Sequence, residues 1–189
     1  MACRWQPPFV FLGEVIKMFQ INDIVLYNQT EVCRVEDIRV MPFLDSQRIN
    51  YYVLKPIYDD SPANSTIYVP VMTDETRLRR AFSADELKQM LAGDGTDTPW
   101  IENATLRRRA FADILSRSHP GELIGLIRVL SDHRSKQLSA GRRFSDTDEK
   151  TLIAAEKQLY PLFRYILNVS QPDFLAMVTG ESAALVSDA

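Results

Sequence analysis

Cysteine and histidine are scarce in this chain: its 189 residues hold Cys3, Cys33, His119 and His133, two of each. They form no CxxC pair and no cluster with the spacing of a zinc site, so bound zinc is not expected. Long hydrophobic runs are also lacking. The longest, such as "FVFL" at 9–12, fall far short of the roughly 20 residues that cross a membrane. Glu14 and Lys17 interrupt the N-terminal apolar stretch, and no small-residue cleavage site follows, so a secretory signal is not expected. The N-x-S/T triplets at Asn28, Asn64, Asn103 and Asn168 are then chance matches, and a reducing cytosol fits. Catalytic signatures are missing as well: there is no Gly-rich phosphate loop, no GxSxG and no HExxH. His119 precedes Pro120 at a helix start, and His133 sits late in a helix, where partial positive charge suits the dipole. Asp146 and Asp148 could hold a metal in a hydrolase, but acids in a first helical turn usually serve capping. The expectation is a protein that is not an enzyme and has no cofactor and no metal.

The composition is that of an ordinary globular protein, 46% apolar and 25% charged, which is enough to bury a core. The net charge of −3 hides a segregation. Residues 1–99 carry a net −4, residues 100–143 a net +5, and residues 144–189 a net −4. A basic block between acidic ones either meets an anionic partner such as DNA or pairs with the acidic ends.

The first part of the chain reads as strands. "DIVLY" (23–27), "EVCRVEDIRVM" (31–41), "NYYVLKPIY" (50–58) and "STIYVPV" (65–71) are β-branched and aromatic, separated by turn-like clusters. Val32, Cys33, Val35 and Ile38 follow a period of two only roughly, which predicts a bulged strand. Four or five short strands at this spacing suggest a small antiparallel barrel. The second part reads as helices. Ser83 caps "ADELKQMLAG" with Glu86 in capping-box position. After the turn-rich 93–99, helices are expected over about 101–117, 120–136, 146–167 and 172–178. Pro161 inside the third of these predicts a kink or a break. Residues 137–143 read as a basic loop.

The arginine triplet in "DTPWIENATLRRRAF" (97–111) does not share one face. At roughly 100° per residue, Arg109 points away from the apolar face, with Asp113 one turn on. Arg108 sits at the edge, and Arg107 falls within the apolar face itself. An arginine there must lay its stem across the core and deliver its head to an acid, to water or to a ligand. Trp100 is either a packing anchor at the helix start or an aromatic wedge beside a basic helix.

Taken in order, "FQINDIVLYNQTEVCRVEDI", "YYVLKPIYD", "STIYVPV" with "LRRAFSADEL", "WIENATLRRRAFADILSRSHPGELIGLIRVL" and "RFSDTDEKTLIAAEKQLYPLF" resemble the CarD/CdnL family of bacterial transcription regulators. The resemblance covers about residues 19–168. It implies an α+β protein, with a small N-terminal antiparallel Tudor-like β-barrel followed by an all-α helical C-terminal domain. The boundaries would be an extension or misplaced start over 1–17, a polymerase-interacting domain over 18–82, a short helix and linker over 83–99, a helical DNA-binding domain over 100–180, and a tail over 181–189. The barrel is shared with the transcription-repair coupling factor, and it implies binding to the β-subunit lobe of RNA polymerase by strand addition. Arg39, Val40, Met41 and Tyr68 would form that contact. Family members often place arginines at the positions of Met41 and Tyr68; neither is charged here, which implies a more apolar contact. The helical domain would hold promoter DNA weakly and largely independently of sequence. Trp100 would sit in the minor groove and stabilise the open complex, and Arg107, Arg108, Arg142 and Arg143 would lie on phosphates. A cytoplasmic, nucleoid-associated monomer without membrane contact is implied. The rival reading is a docking module that never touches DNA.

Overall fold

The computed structural model describes residues 19–42, 48–58, 65–72, 77–93 and 98–180. Five strands come first: β1 (Ile24–Tyr27), β2 (Glu31–Pro42), β3 (Arg48–Pro56), β4 (Ile67–Pro70) and β5 (Leu78–Arg80). Five helices follow: α1 (Ala84–Ala92), α2 (Ala104–Arg117), α3 (Pro120–Ser139), α4 (Asp146–Leu167) and α5 (Gln171–Thr179). The sheet is antiparallel throughout, in the order β4-β3-β2-β1-β5. β4 and β5 are its two edges and do not pair with each other, so among the described residues the sheet is open rather than a closed barrel. The three-residue β5 lies in "LRRAF", which carries too few alternating positions to read as a strand.

The imperfect alternation of the first strands has a physical cause. β1 and the start of β2 are buried on both faces, a situation that favours continuous apolar runs. Val25 and Cys33, paired across the two strands, point into a small core with Val35, Tyr52, Leu54, Val69 and Leu78. Leu26 and Val32, the next pair, point to the other face and join the core of the helices. The expected bulge is present: the register between β2 and β3 shifts between Val35 and Asp37. It resets the parity of the strand, so that Ile38 follows Cys33 and Val35 on the inner face. At the β1–β2 turn, Asn28 and Gln29 take the left-handed conformation, with φ of 46° and 74°. Glu31 is thereby left in ordinary strand geometry.

Burial raises the Cys33 thiol to about 12, so this cysteine acts as a small core side chain rather than a reactive group.

α1 begins with the expected reciprocal cap: Ser83 Oγ accepts from Glu86 N–H at 3.2 Å, and Glu86 Oε2 accepts from Ser83 N–H at 2.7 Å. α3 is the central helix. Leu123, Ile124, Leu126, Ile127 and Leu130 are all fully buried, on one broad face of its first three turns at roughly 100° per residue. It packs against α1, α2, α4 and α5. Its Arg128 donates to the Val178 carbonyl at 2.8 Å and the Leu91 carbonyl at 2.7 Å, which gathers the C-terminal ends of α5 and α1 onto one cation. α3 also runs three residues further than expected, so the basic loop shrinks to the segment after Ser139. α4 continues through Pro161 without a break, held by the buried stripe Leu152, Ala155, Leu159 and Phe163.

Because Leu26 and Val32 belong to the same core as α1–α5, the sheet and the helices are coupled. Leu26→Ala is expected to cost about 2–5 kcal/mol. Sheet and helix signals should then move together to one lower denaturation midpoint, a coincidence that near- and far-UV circular dichroism can check.

Candidate polymerase-docking edge and the tryptophan node

β2 is three times as long as β1, twelve residues against four. Only Glu31–Arg34 pair with β1, and two further bonds, Val35 N–H to Asp23 and Asn22 N–H to Val35, close that side. From Asp37 to Pro42, β2 keeps β3 on one side and has no strand on the other among the described residues. Such a row of main-chain groups invites another strand. One group on it is already occupied. Asp37 Oδ1 accepts the Ile38 N–H at 2.8 Å, while Oδ2 accepts Arg39 Nε at 2.7 Å. Arg39 and then the Ile38 N–H hold the Asp37 carboxyl below the usual carboxylate range.

The four residues expected at this contact divide between two faces. Register places Arg39 opposite Tyr51 and Pro70, and Asp37 opposite Val53 and Tyr68, so Arg39, Met41 and Tyr68 share one face. Val40 lies on the other, opposite Asn50, and is 60% exposed. Tyr68 is 46% exposed, and Met72, just past the end of β4, is 76% exposed. This face carries the Asp37–Arg39 ion pair beside the uncharged Met41 and Tyr68. The sequence reading missed Asp37, since an Asp-x-Arg spacing in a strand does not reveal a main-chain cap.

The second constellation lies at the start of α2. Asn103 caps this helix, its Oδ1 accepting from Thr105 N–H at 3.0 Å and Leu106 N–H at 3.1 Å. One turn on, Arg107 turns inward and is 9% exposed. Its Nε and Nη2 donate to the two oxygens of Asp148, at 3.2 and 2.9 Å. Its Nη1 donates to the carbonyls of Ile101 and Glu102, at 2.7 and 3.1 Å. Asp148, in the first turn of α4, is 4% exposed. Of the acid, water or ligand that the apolar-face position left open, the partner is an acid, Asp148, and Arg107 is corrected from a phosphate contact to an internal strut. The same pair occupies the carboxylate weighed for a metal, and no group of metal-ligating side chains occurs among the described residues.

Trp100 is half-buried and packed between two groups. The His133 ring stacks on it at 3.6 Å and 15°, and the Arg107 guanidinium lies 4.3 Å over it. Phe111 stands at 6.5 Å. The indole Nε1 is buried without an acceptor, so stacking and the cation, rather than a hydrogen bond, hold the ring. In this conformation Trp100 is the packing anchor of the two readings, and the wedge face is covered. His133 was legible only as a late-helix histidine, because nothing in a 33-residue separation announces a stack.

Of the remaining cations, Arg108 and Arg142 are exposed and make no ion pair among the described residues. Arg143 is exposed but bonds to Asp146 at 2.8 Å. Arg109 is exposed, while its expected partner Asp113 pairs instead with Arg117.

Residues 19–81 match the CarD-like/TRCF RID domain family. The match begins just before β1 and ends just after β5, so it takes in the whole sheet and the open edge of β2. It spans about a third of the chain; α1–α5 lie beyond it. No curated protein matches the chain. No helix among the described residues is long and apolar enough to cross a membrane.

Asp148→Ala is expected to cost about 3–5 kcal/mol by stranding the Arg107 charge in the interior. Replacing the pair together, Arg107→Met with Asp148→Leu, should recover most of that loss. A double-mutant cycle in denaturant measures both values.

Proposed function

We propose that this protein is a regulator of transcription initiation that docks on the β-subunit lobe of RNA polymerase. The open edge of β2 would receive a strand of the lobe, and the face bearing Arg39, Met41 and Tyr68 would cover it. The observation that carries this reading is a half-strand whose second side has no strand among the described residues, lying inside the segment that matches the CarD-like/TRCF RID domain. The protein acts in the cytoplasm as a monomer, through binding alone.

In the fuller form of the reading, the helical part stabilises the promoter open complex. Arg108, Arg142 and Arg143 lie on phosphates, and Trp100 enters the minor groove once its indole has left His133. Docking supplies the effective concentration that a weak DNA contact needs. A second reading, docking without DNA, has its own support: Trp100 and Arg107 are both engaged in internal packing, and Arg143 in a pair with Asp146.

Pull-down with an isolated β-lobe tests the shared part, and absence of binding ends both readings. Anisotropy with promoter fork DNA, in the presence of polymerase, separates them. Phosphate contacts should give a salt slope of about −0.9 each, and replacing Arg108 and Arg142 by Ala should remove about two such contacts. A salt slope that these substitutions leave unchanged would select docking without DNA contact by these residues.

A further inference from the structure

The open edge of β2 does not offer a uniform ladder. Asn50 on β3 directs its carbonyl to the Val71 N–H on the β4 side, at 2.9 Å. In an antiparallel pair, the N–H and C=O of one residue point the same way. Asn50 therefore turns away from β2, and its partner Val40 turns away from β3, so both main-chain groups of Val40 face the open side. Ile38, two residues earlier, faces it too, as its N–H confirms by bonding to the Asp37 carboxylate rather than to β3. Pro42, two residues later, has no N–H to give. Along this edge the Ile38 donor is capped and the Pro42 donor is missing. Between them, Val40 presents both a donor and an acceptor.

We propose that the docked strand is set in register by Val40, with the Asp37–Arg39 pair as a latch on the adjoining position. The inference rests on the polymerase-docking reading and names the residue at its centre. The occupant is an extended segment of RNA polymerase, bonded through both main-chain groups of Val40 and flanked by the carbonyls of Ile38 and Pro42. With a single complete bonding position, a partner slipped by two residues loses a donor on either side. The latch has a second effect: it shields one N–H of an exposed edge, which limits pairing between copies of this chain.

The Val40 amide makes no bond within the sheet, so it can be removed while every β2–β3 bond is kept. The full-length protein would be measured against immobilised RNA polymerase core enzyme. Val40→Pro should fall about tenfold or more in affinity, the loss expected when a partner carbonyl is left without its donor, with an unchanged melting temperature. Asp37→Ala, which uncaps Ile38, should bind several-fold tighter, whereas Asp37→Asn, which keeps an acceptor at Oδ1, should stay near wild type. Amide exchange gives a readout that needs no variant. In the unbound protein the Val40 amide should exchange fast while those of Arg39 and Met41 are protected, and polymerase should slow it. If folded Val40→Pro binds like wild type, or if polymerase leaves Val40 exchange unchanged, the register is wrong although docking stands. If wild type itself does not bind, the docking reading fails instead. Protection of Val40 that appears with rising protein concentration alone would make the occupant a second copy and overturn the proposal.

Discussion

The buried guanidinium of Arg107 is the constraint around which the helical half is arranged. A charge at this depth is tolerated only with its donors satisfied, and Asp148 and the carbonyls of Ile101 and Glu102 meet that demand. Each partner comes from a different place: α4, and the two residues that follow Trp100. One side chain therefore fixes where α4 begins relative to α2 and how the chain approaches α2 from Trp100. Trp100 then finds the guanidinium on one side and His133 of α3 on the other. Three helices meet at this node, and the tryptophan is held there by stacking and the cation, since its Nε1 has no acceptor.

The sheet follows from a different constraint, the unequal lengths of β1 and β2. A four-residue strand cannot cover a twelve-residue neighbour, and the bulge after Val35 turns the uncovered half aside. The price of that exposed edge is moderated by side chains rather than by more chain: Asp37 covers one donor and Pro42 removes another. The result is an edge with a preferred position instead of a sticky ribbon.

How far the sequence was readable depended on the range of the interaction. Local signals carried well. The capping box at Ser83 and the bulge near Val35 both involve residues a few positions apart. The inward turn of Arg107 was legible for the same reason, since helix periodicity alone puts it on the apolar face. Its partner was not, because Asp148 lies 41 residues away and acids in a first turn already have a local explanation. Trp100 illustrates the same limit from the other side. Its neighbours along the chain suggested an exposed aromatic beside cations, whereas His133 on another helix covers it. The resemblance implied a closed barrel, but strand closure depends on edges that are not adjacent in sequence, and β4 and β5 do not meet.

The two halves bear on each other through β2. Val32 lies in the helical core and Val40 at the open edge of the same strand, eight residues and roughly 26 Å apart at about 3.3 Å per residue. A partner bonded at Val40 would hold the helices through a continuous, hydrogen-bonded strand and the Leu26–Val32 contact. Orientation would then be imposed together with proximity. A flexible tether raises only local concentration, whereas a rigid one would also select which helix ends face the partner. If Trp100 or the exposed arginines met DNA, as the fuller reading proposes, they would arrive at a fixed angle, and the stacked tryptophan would have to unpack within a frame already anchored on both sides. On that reading the stack against His133 would set an energetic threshold for use of the indole, whereas Arg108 and Arg142 would meet none because they already stand in solvent.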